Sequence, residues 1–524
     1  MTETNITDWH TPPSHRYALT AERIEKSAYE WQVELYNQWL ADERVLADVA
    51  TGLGKSRGAM YCAAGWRVLH GDNAKVLILV PTKKLVLQWR NHCIVQRFPV
   101  ASVSSDFKTD HLLNKFAYVS TYQSLEKVKA NPFISDPNTK LLIVCDEAQY
   151  VGAERTSELF EDFQGDSCLL LSATPKRGDA VDIRNIMGTK STYKLGLIDG
   201  RVKTLGKEAA LNFTFHYVVV KATEAEEMEI LDLIKQRTTL RKRAEKLLMD
   251  SGNGNPYDIF DRINTNKNEV GAEIAKTVAV YKHKCMEVKR AENEVNQRYD
   301  ISRALMRNRL GKKDAYFHES ILGIERLNQL CKDEALNPRV YHSGIKLTPA
   351  IMSVYPELAT EDFVCRLKEY NNNASSEFNA WAESATDTLL TCKSLKEGVD
   401  IPNMDAIIML TGANEVGKRI QTIGRVFRGN KHKDIYMFIL NLPTEYGSGD
   451  ERCFYNVMKE TGIPYDNVRI TNLALLEAGA EGIPWNNDND TADQHVEDDD
   501  FPDPDDDDDD FPELFPEETT EMKT

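Results

Sequence analysis

Val49-Ala50-Thr51-Gly52-Leu53-Gly54-Lys55-Ser56 decides how this chain is read. It follows Arg44-Val45-Leu46-Ala47, an apolar run that reads as a short buried strand, and precedes Met60, Ala63, Ala64 and Val68 at helical spacing. A tight Gly-rich turn between a strand and a helix aims backbone N–H groups at one point, where the positive helix N-terminus adds its field. Lys55 then reaches the outer phosphates of a bound nucleotide, and the Ser56 hydroxyl ligates Mg²⁺. The general pattern has a glycine where this chain has Val49, and a Gly-rich turn beside a lysine would look the same in isolation. The segments around it carry the decision.

The chain has 524 residues, enough for two to four domains, and 41% of them are hydrophobic. No apolar run is long enough to span a bilayer, and residues 1–13 are polar without a signal-peptide pattern, so no membrane association is expected. The nine cysteines are scattered, with no C-x-x-C pair. That predicts buried free thiols in a reducing compartment and no zinc site. The net charge is −18, but residues 488–524 hold 18 acids and one lysine; the remainder has 64 acids against 63 bases. A nearly neutral body must bind any nucleic acid through local basic surfaces.

Read in order, apolar runs repeatedly end in polar clusters. Glu30-Trp31-Gln32 opens an amphipathic helix in which the Gln32 amide is suited to an adenine edge. Residues 76–80 form a continuous apolar strand ending in Pro81-Thr82-Lys83-Lys84, followed by Leu85, Gln88 and Trp89 at helical spacing. Ala117-Tyr118-Val119 ends in Ser120-Thr121-Tyr122-Gln123, residues 141–145 end in Asp146-Glu147-Ala148-Gln149, and residues 168–171 end in Ser172-Ala173-Thr174-Pro175. A strand-terminal acid opposite a phosphate loop holds Mg²⁺ through water, and the next acid orients the attacking water. Alternation of strand and helix at this spacing implies a doubly wound parallel sheet. Polar residues at the C-terminal ends of its strands sit where ligands bind.

The ordered set A-T-G-x-G-K-S, P-T-x-x-L-x-x-Q-W, S-T-Y-Q, D-E-A-Q and S-A-T-P resembles the first motor domain of superfamily 2 helicases and translocases. Residues 315–318, 340–344, 388–391, 406–410 and 435–440 read as a second set of strands. Glu397-Gly398-Val399-Asp400-Ile401-Pro402 and Gln421-Thr422-Ile423-Gly424-Arg425-Val426-Phe427-Arg428 resemble the second motor domain. The motifs are most similar to the branch that holds XPB-like helicases, restriction-enzyme motor subunits and UvsW-like phage helicases. The resemblance implies two RecA-like doubly wound parallel-sheet α/β domains in tandem. They are expected at 20–205 and 311–470, after an N-terminal extension at 1–19. A linker strand and helical insertion at 206–310 separates them, and a connecting segment at 471–487 precedes a disordered acidic tail at 488–524.

The same resemblance implies the roles. Gln32 recognises adenine; Thr51, Gly52, Leu53, Gly54, Lys55 and Ser56 bind phosphates, with Ser56 and Asp146 on Mg²⁺. Glu147 activates water, while Gln149, Ser172, Thr174 and Gln421 couple nucleotide state to domain motion. Gly398 and Asp400 lie at the domain interface. Arg425 and Arg428, one helical turn apart, complete the site as arginine fingers. Thr82, Thr121, Thr391 and Lys393 line a nucleic-acid track that contacts phosphates rather than bases.

Residues 224–309 read as mixed-charge helices, either a solvated arm or one that contacts nucleic acid through Lys235, Arg237, Arg241, Lys242, Arg243 and Lys246. The tail carries Asp498–Asp500, Asp505–Asp510 and Phe-Pro pairs at 501, 511 and 515. It cannot bury enough apolar surface to fold alone. It serves solvation, or mimics single-stranded nucleic acid toward a basic groove or a single-strand-binding partner. The expectation is an ATP hydrolase with ATP and Mg²⁺ as cofactors, acting on double-stranded or branched DNA in replication, recombination or repair, in the cytoplasm of a bacterium or phage-infected host. An RNA helicase, the motor subunit of a nuclease complex and a non-hydrolysing scaffold are the alternatives.

Overall fold

The computed structural model describes residues 26–104, 113–175, 181–250, 272–342, 376–392, 404–411, 416–427, 431–443 and 449–485. Two parallel sheets organise them. The first holds β1 (Arg44–Val49), β2 (Ala74–Val80), β3 (Val100–Val103), β4 (Ala117–Thr121), β5 (Lys140–Asp146), β6 (Ser167–Ser172) and β7 (Ser191–Leu195) in the order β3-β4-β2-β5-β6-β1-β7. All of its pairs are parallel, as βα alternation requires, and β2 is buried along its whole length. Register sets Asp146 opposite Leu171 and Ser172 opposite Asp48, so the loops leaving β5, β6 and β1 emerge side by side. The loops leaving β2 and β4 emerge next to them, because β2 lies between β4 and β5.

The helix that follows the Gly-rich turn, Lys55–His70, is buried continuously from Gly58 to Arg67. It is enclosed because Gly58 and Gly65, seven residues apart, fall on one face and admit the helix Glu30–Asp42 closely. A Cβ on Gly65 would lie 2.5 Å from the Tyr36 ring, and one on Gly58 would lie 3.5 Å from Leu35. Val68, expected on the apolar face, is instead half exposed beyond this contact.

The second sheet holds β8 (Phe213–Lys221), β9 (Asp314–Phe317), β10 (Arg339–Tyr341), β11 (Thr388–Thr391), β12 (Ala406–Met409), β13 (Lys433–Asn441), β14 (Val468–Thr471) and β15 (Ile483–Pro484). Their order is β10-β11-β9-β12-β13-β8-β14-β15, parallel except for β14 with β15. The strand grouped on sequence grounds with the insertion is therefore an inner strand here. β8 pairs with β13 over nine positions and with β14 on its other side. The helix Asn296–Asn308 also belongs with this sheet: fully buried Arg298 binds the Leu410 carbonyl and the Asp450 carboxylate.

The helices Glu224–Asp250 and Ala272–Asn293 form a separate unit with its own small core of Ala244, Leu248, Ile274 and Val278. Of the six cations singled out there, Arg241 is paired with Glu245 and Arg243 with Glu273, while Lys235, Lys242 and Lys246 are exposed. Among the described residues no helix is long and apolar enough to cross a membrane.

Arg309 ties the N-terminal edge of the second sheet together. Its guanidinium binds Asp314 at 2.6 Å and Asp434 at 2.7 Å, and lies over the Tyr436 ring at 5.6 Å. Burial alone would raise Asp434, but the His216 hydrogen bond and the Arg309 charge outweigh it and hold this carboxyl below its usual range. Removing the cation leaves two largely buried carboxylates without their common partner. Arg309→Ala should therefore cost about 3–5 kcal/mol in this domain, read from its urea unfolding midpoint. A loss under about 1 kcal/mol, the value of a surface pair, would contradict this placement.

Candidate nucleotide site

The Gly-rich turn has the backbone its glycines permit. Gly52 and Gly54 have φ of +86° and +92°, and Gly54 opens the helix Lys55–His70 from the left-handed region. Gln32 fixes the turn from behind. Its Nε2 donates to the Gly54 carbonyl at 2.9 Å and its Oε1 accepts from the Tyr29 N–H at 3.0 Å. Gln32 is fully buried, so as placed it holds the loop. Lys55 Nζ donates to the Val49 carbonyl at 3.0 Å, curled over the loop's own backbone, and the buried Thr51 hydroxyl has no partner among the described residues.

At the end of the neighbouring β5, Asp146 is 8% exposed. Its Oδ2 accepts from the Trp89 indole N–H at 2.7 Å, its Oδ1 from the Glu147 N–H at 3.2 Å, and its carbonyl from the Tyr122 hydroxyl at 2.9 Å. Burial first, and the neighbouring Glu147 second, push the Asp146 carboxyl up to about 6. A cation beside it would reverse that penalty. Glu147 has φ +49° and ψ +61°, a left-handed conformation rare outside glycine and of the kind that strained functional sites retain.

From Glu147 a line of hydrogen bonds leaves the first domain. Gln149 Nε2 donates to Glu147 Oε2 at 3.3 Å. The Ser172 hydroxyl donates to Gln149 Oε1 at 3.0 Å and accepts from the Thr174 N–H at 3.0 Å. The Thr174 hydroxyl accepts from Gln421 Nε2 at 3.1 Å, and Gln421 lies on the helix Val416–Val426 beside the second sheet. The two domains meet directly along this helix. A Cβ on Gly417 would lie 2.6 Å from Thr174 Cγ2, one on Gly424 would lie 2.6 Å from the Thr51 carbonyl oxygen, and one on Gly52 would lie 2.3 Å from the Gly424 carbonyl oxygen. Arg425, next to Gly424, is thereby brought to the phosphate loop.

A second bridge crosses the same boundary. Arg201, 1% exposed, sits on the helix Leu197–Leu205 with its guanidinium 4.4 Å from the Phe427 ring centroid. It donates to the carbonyls of Phe427 at 2.7 Å, Ala210 at 3.1 Å and Ala209 at 3.2 Å. Burial pushes Arg201 down to about 10, so it stays a cation near neutrality. On the same helix Gly200 faces Leu53, whose Cδ1 would lie 2.1 Å from an added Cβ. One helix thus touches both the phosphate loop and the segment that follows Arg425.

The structure brings together Gln32, Thr51, Gly52, Leu53, Gly54, Lys55, Asp146, Glu147, Gln149, Ser172, Thr174, Gln421 and Arg425. Ser56 is the second residue of the loop's helix and is partly exposed. Of the track residues, Thr82 is partly exposed and caps the helix Lys83–Val95 by accepting from the Leu85 N–H at 3.4 Å. Thr121 and Thr391 are buried, and their hydroxyls donate to Ser124 Oγ and the Cys392 carbonyl. Lys393, Gly398, Asp400 and Arg428 lie outside the described residues.

Trp89, Tyr122, Arg201 and Gly424 carry contacts to which the sequence assigned no role. Gly424 had a readable signal, since glycine inside a helix costs about 1 kcal/mol against alanine unless a close approach needs it. The eight described cysteines are free, seven of them buried, as expected of reduced thiols. Among the described residues no three acidic, His or Cys side chains gather as an all-protein metal cage. The donors present, one carboxylate and hydroxyls, fit a Mg²⁺ that keeps waters and phosphate oxygens as its remaining ligands.

Residues 25–177 match the family model described as type III restriction enzyme, res subunit, and residues 366–430 match the helicase conserved C-terminal domain. No curated protein matches the sequence. Among solved structures, a Dbp5 variant from S. cerevisiae bound to RNA and ADP BeF3 is 13% identical, with a TM-score of 0.51 over 91% of this chain and 97% of that one. The Pyrococcus furiosus Hef helicase domain is 16% identical, with a TM-score of 0.49 over 83% of this chain and 99% of that one. At these identities the likeness to Dbp5 is one of fold.

Because Gly424 lies against Thr51 with no room for a side chain, Gly424→Val should keep the two domains from closing on the loop. Steady-state ATP turnover should fall about 100-fold, the scale of an ångström-level misplacement, with unchanged far-ultraviolet circular dichroism. Wild-type turnover would contradict the contact.

Proposed function

We propose that this chain, which belongs to the superfamily 2 helicases and is thereby an ATP-driven nucleic-acid motor, runs on double-stranded or branched DNA. The observation that carries the motor reading is the hydrogen-bonded line from Glu147 through Gln149, Ser172 and Thr174 to Gln421. It joins the acid suited to orienting water to the helix that carries Arg425, so a change at the nucleotide is felt by the second domain. The match over residues 25–177 to a restriction-enzyme subunit favours DNA, as does D-E-A-Q in place of D-E-A-D. RNA is the second reading, favoured by the fold shared with an RNA-bound helicase.

In this reading the N–H groups around Gly52 and Gly54 cradle phosphates, and Lys55 exchanges the Val49 carbonyl for the outer phosphates. Ser56 and Asp146 would hold Mg²⁺, Asp146 through water. Bound ATP with Mg²⁺ supplies the phosphoryl group and its negative charge. Glu147 orients the attacking water and takes up its proton. By their motifs Arg425 and Arg428 are assigned to the charge that develops on transfer and Gly398 and Asp400 to the domain interface, and Gln32 senses adenine through the loop it holds. The loops after β2 and β4, with Thr391 and Lys393 from the second domain, follow the phosphate backbone. Thr121 and Thr391 spend their hydroxyls internally, so that contact falls to backbone N–H groups, to partly exposed Thr82 and to exposed Lys83 and Lys84.

Steady-state ATPase assays without nucleic acid and with single-stranded DNA, duplex DNA, a branched fork or RNA test the substrate. Stimulation by duplex or branched DNA is expected, and stimulation by RNA alone would transfer the reading to the RNA class. Lys55→Ala should abolish hydrolysis, and Glu147→Gln should retain ATP without turning it over. Arg425→Ala should bind nucleotide while turning over about 10³-fold more slowly, as losses of arginine fingers do. Normal turnover in Glu147→Gln would remove its assigned role.

A further inference from the structure

We propose that Trp89 and Tyr122 are positioning residues that carry the state of the nucleic-acid track to the Asp146 carboxylate. This rests on the reading above that the loops after β2 and β4 form that track.

Each of those two loops reaches Asp146 through one side chain. The first loop runs through Thr82 into the helix Lys83–Val95, with Lys83 and Lys84 exposed at its start. Lys84 Nζ also donates to the Tyr341 hydroxyl of the second domain at 3.4 Å, so this end of the helix senses both domains. Trp89 lies seven residues after Thr82, about 10 Å along the axis at the helical rise. It is 1% exposed, seated among Val86, Cys93 and the apolar core, and its only polar atom donates to Asp146 Oδ2 at 2.7 Å. The second loop follows Thr121 directly into Tyr122. Its ring stacks on Tyr150 at 6.0 Å, and its hydroxyl donates to the Asp146 carbonyl at 2.9 Å.

Asp146 is therefore held by one track loop at its carboxylate and by the other at its backbone. The two bonds act on different freedoms. The indole fixes the rotation of the carboxylate, and so which oxygen faces the nucleotide. The phenol fixes how far the end of β5 projects. A phosphate backbone pressing on the start of the Lys83–Val95 helix shifts Trp89 with it, because a helix buried along one face moves as a body. Carboxylates bound to metal through water tolerate little misplacement, so a sub-ångström shift suffices to change turnover.

Trp89→Phe and Tyr122→Phe in the full chain test the assignment. ATP turnover is measured without nucleic acid and at saturating duplex DNA, across a Mg²⁺ titration, with DNA affinity by fluorescence anisotropy. The ratio of stimulated to unstimulated turnover should fall about ten-fold or more in each variant, the scale of a hydrogen bond to a charged group or a buried carbonyl. Half-maximal activity of Trp89→Phe should need more Mg²⁺, while DNA binds as in wild type. A parallel fall of both rates with the ratio intact overturns the proposal, because both side chains would then only fill the core. Should Trp89→Phe fail to fold, Tyr122→Phe, which removes one oxygen, decides by the same ratio. A wild-type chain that no nucleic acid stimulates would instead overturn the reading of the track, and this inference with it.

Discussion

The nucleotide site depends on backbone meeting backbone where Gly424 of the second domain lies on Thr51 and Gly52 of the first. No side chain fits between them, since an added Cβ on either glycine would fall within 2.6 Å of a carbonyl oxygen. This contact brings Arg425 to the phosphate loop and sets Gln421 within hydrogen-bonding reach of Thr174. A site assembled from two domains can exist only while they are closed. The chemistry of the nucleotide and the motion of the domains are then the same event.

The boundary carries polar links beside its apolar packing, and their bonds are made by groups with few alternatives. Arg201 spends its guanidinium on three carbonyls, one of them Phe427 of the second domain. Ser172 serves Gln149 and Thr174 at once, and Gln149 serves Ser172 and Glu147. In a low-dielectric setting each unpartnered group is costly, so such a network favours discrete arrangements over gradual deformation. That is what a two-state motor needs. Asp146 is poised in the same way, destabilised as an anion by burial and by Glu147.

Much of this was legible in the sequence because it is local. The five polar clusters of the first domain sit at the ends of β1, β2, β4, β5 and β6, where apolar runs break into hydroxyls, acids and amides. β3 and β7 were not legible. Val-Ala-Ser-Val has no run to notice, and Ser-Thr-Tyr-Lys-Leu alternates at the sheet edge beside β1. β8 was visible as a strand, but its sheet was not, since its main partner β13 begins at Lys433, more than two hundred residues on. The same limit hid Trp89, Tyr122 and Arg201, whose partners Asp146 and Phe427 come together only through the sheet order and the domain contact. Spacing along the chain points to a chemistry, and pairing across it determines which group holds which.

The most direct test of a composite, hydrogen-bonded site is a double-mutant cycle on nucleic-acid-stimulated turnover with Thr174→Val and Gln421→Leu. If the two act as one link, each substitution alone slows turnover about ten-fold, and the pair is no slower than the worse single variant. Factors that multiply in the double variant would mean that Thr174 and Gln421 act independently, and that the domains are coupled by some other contact.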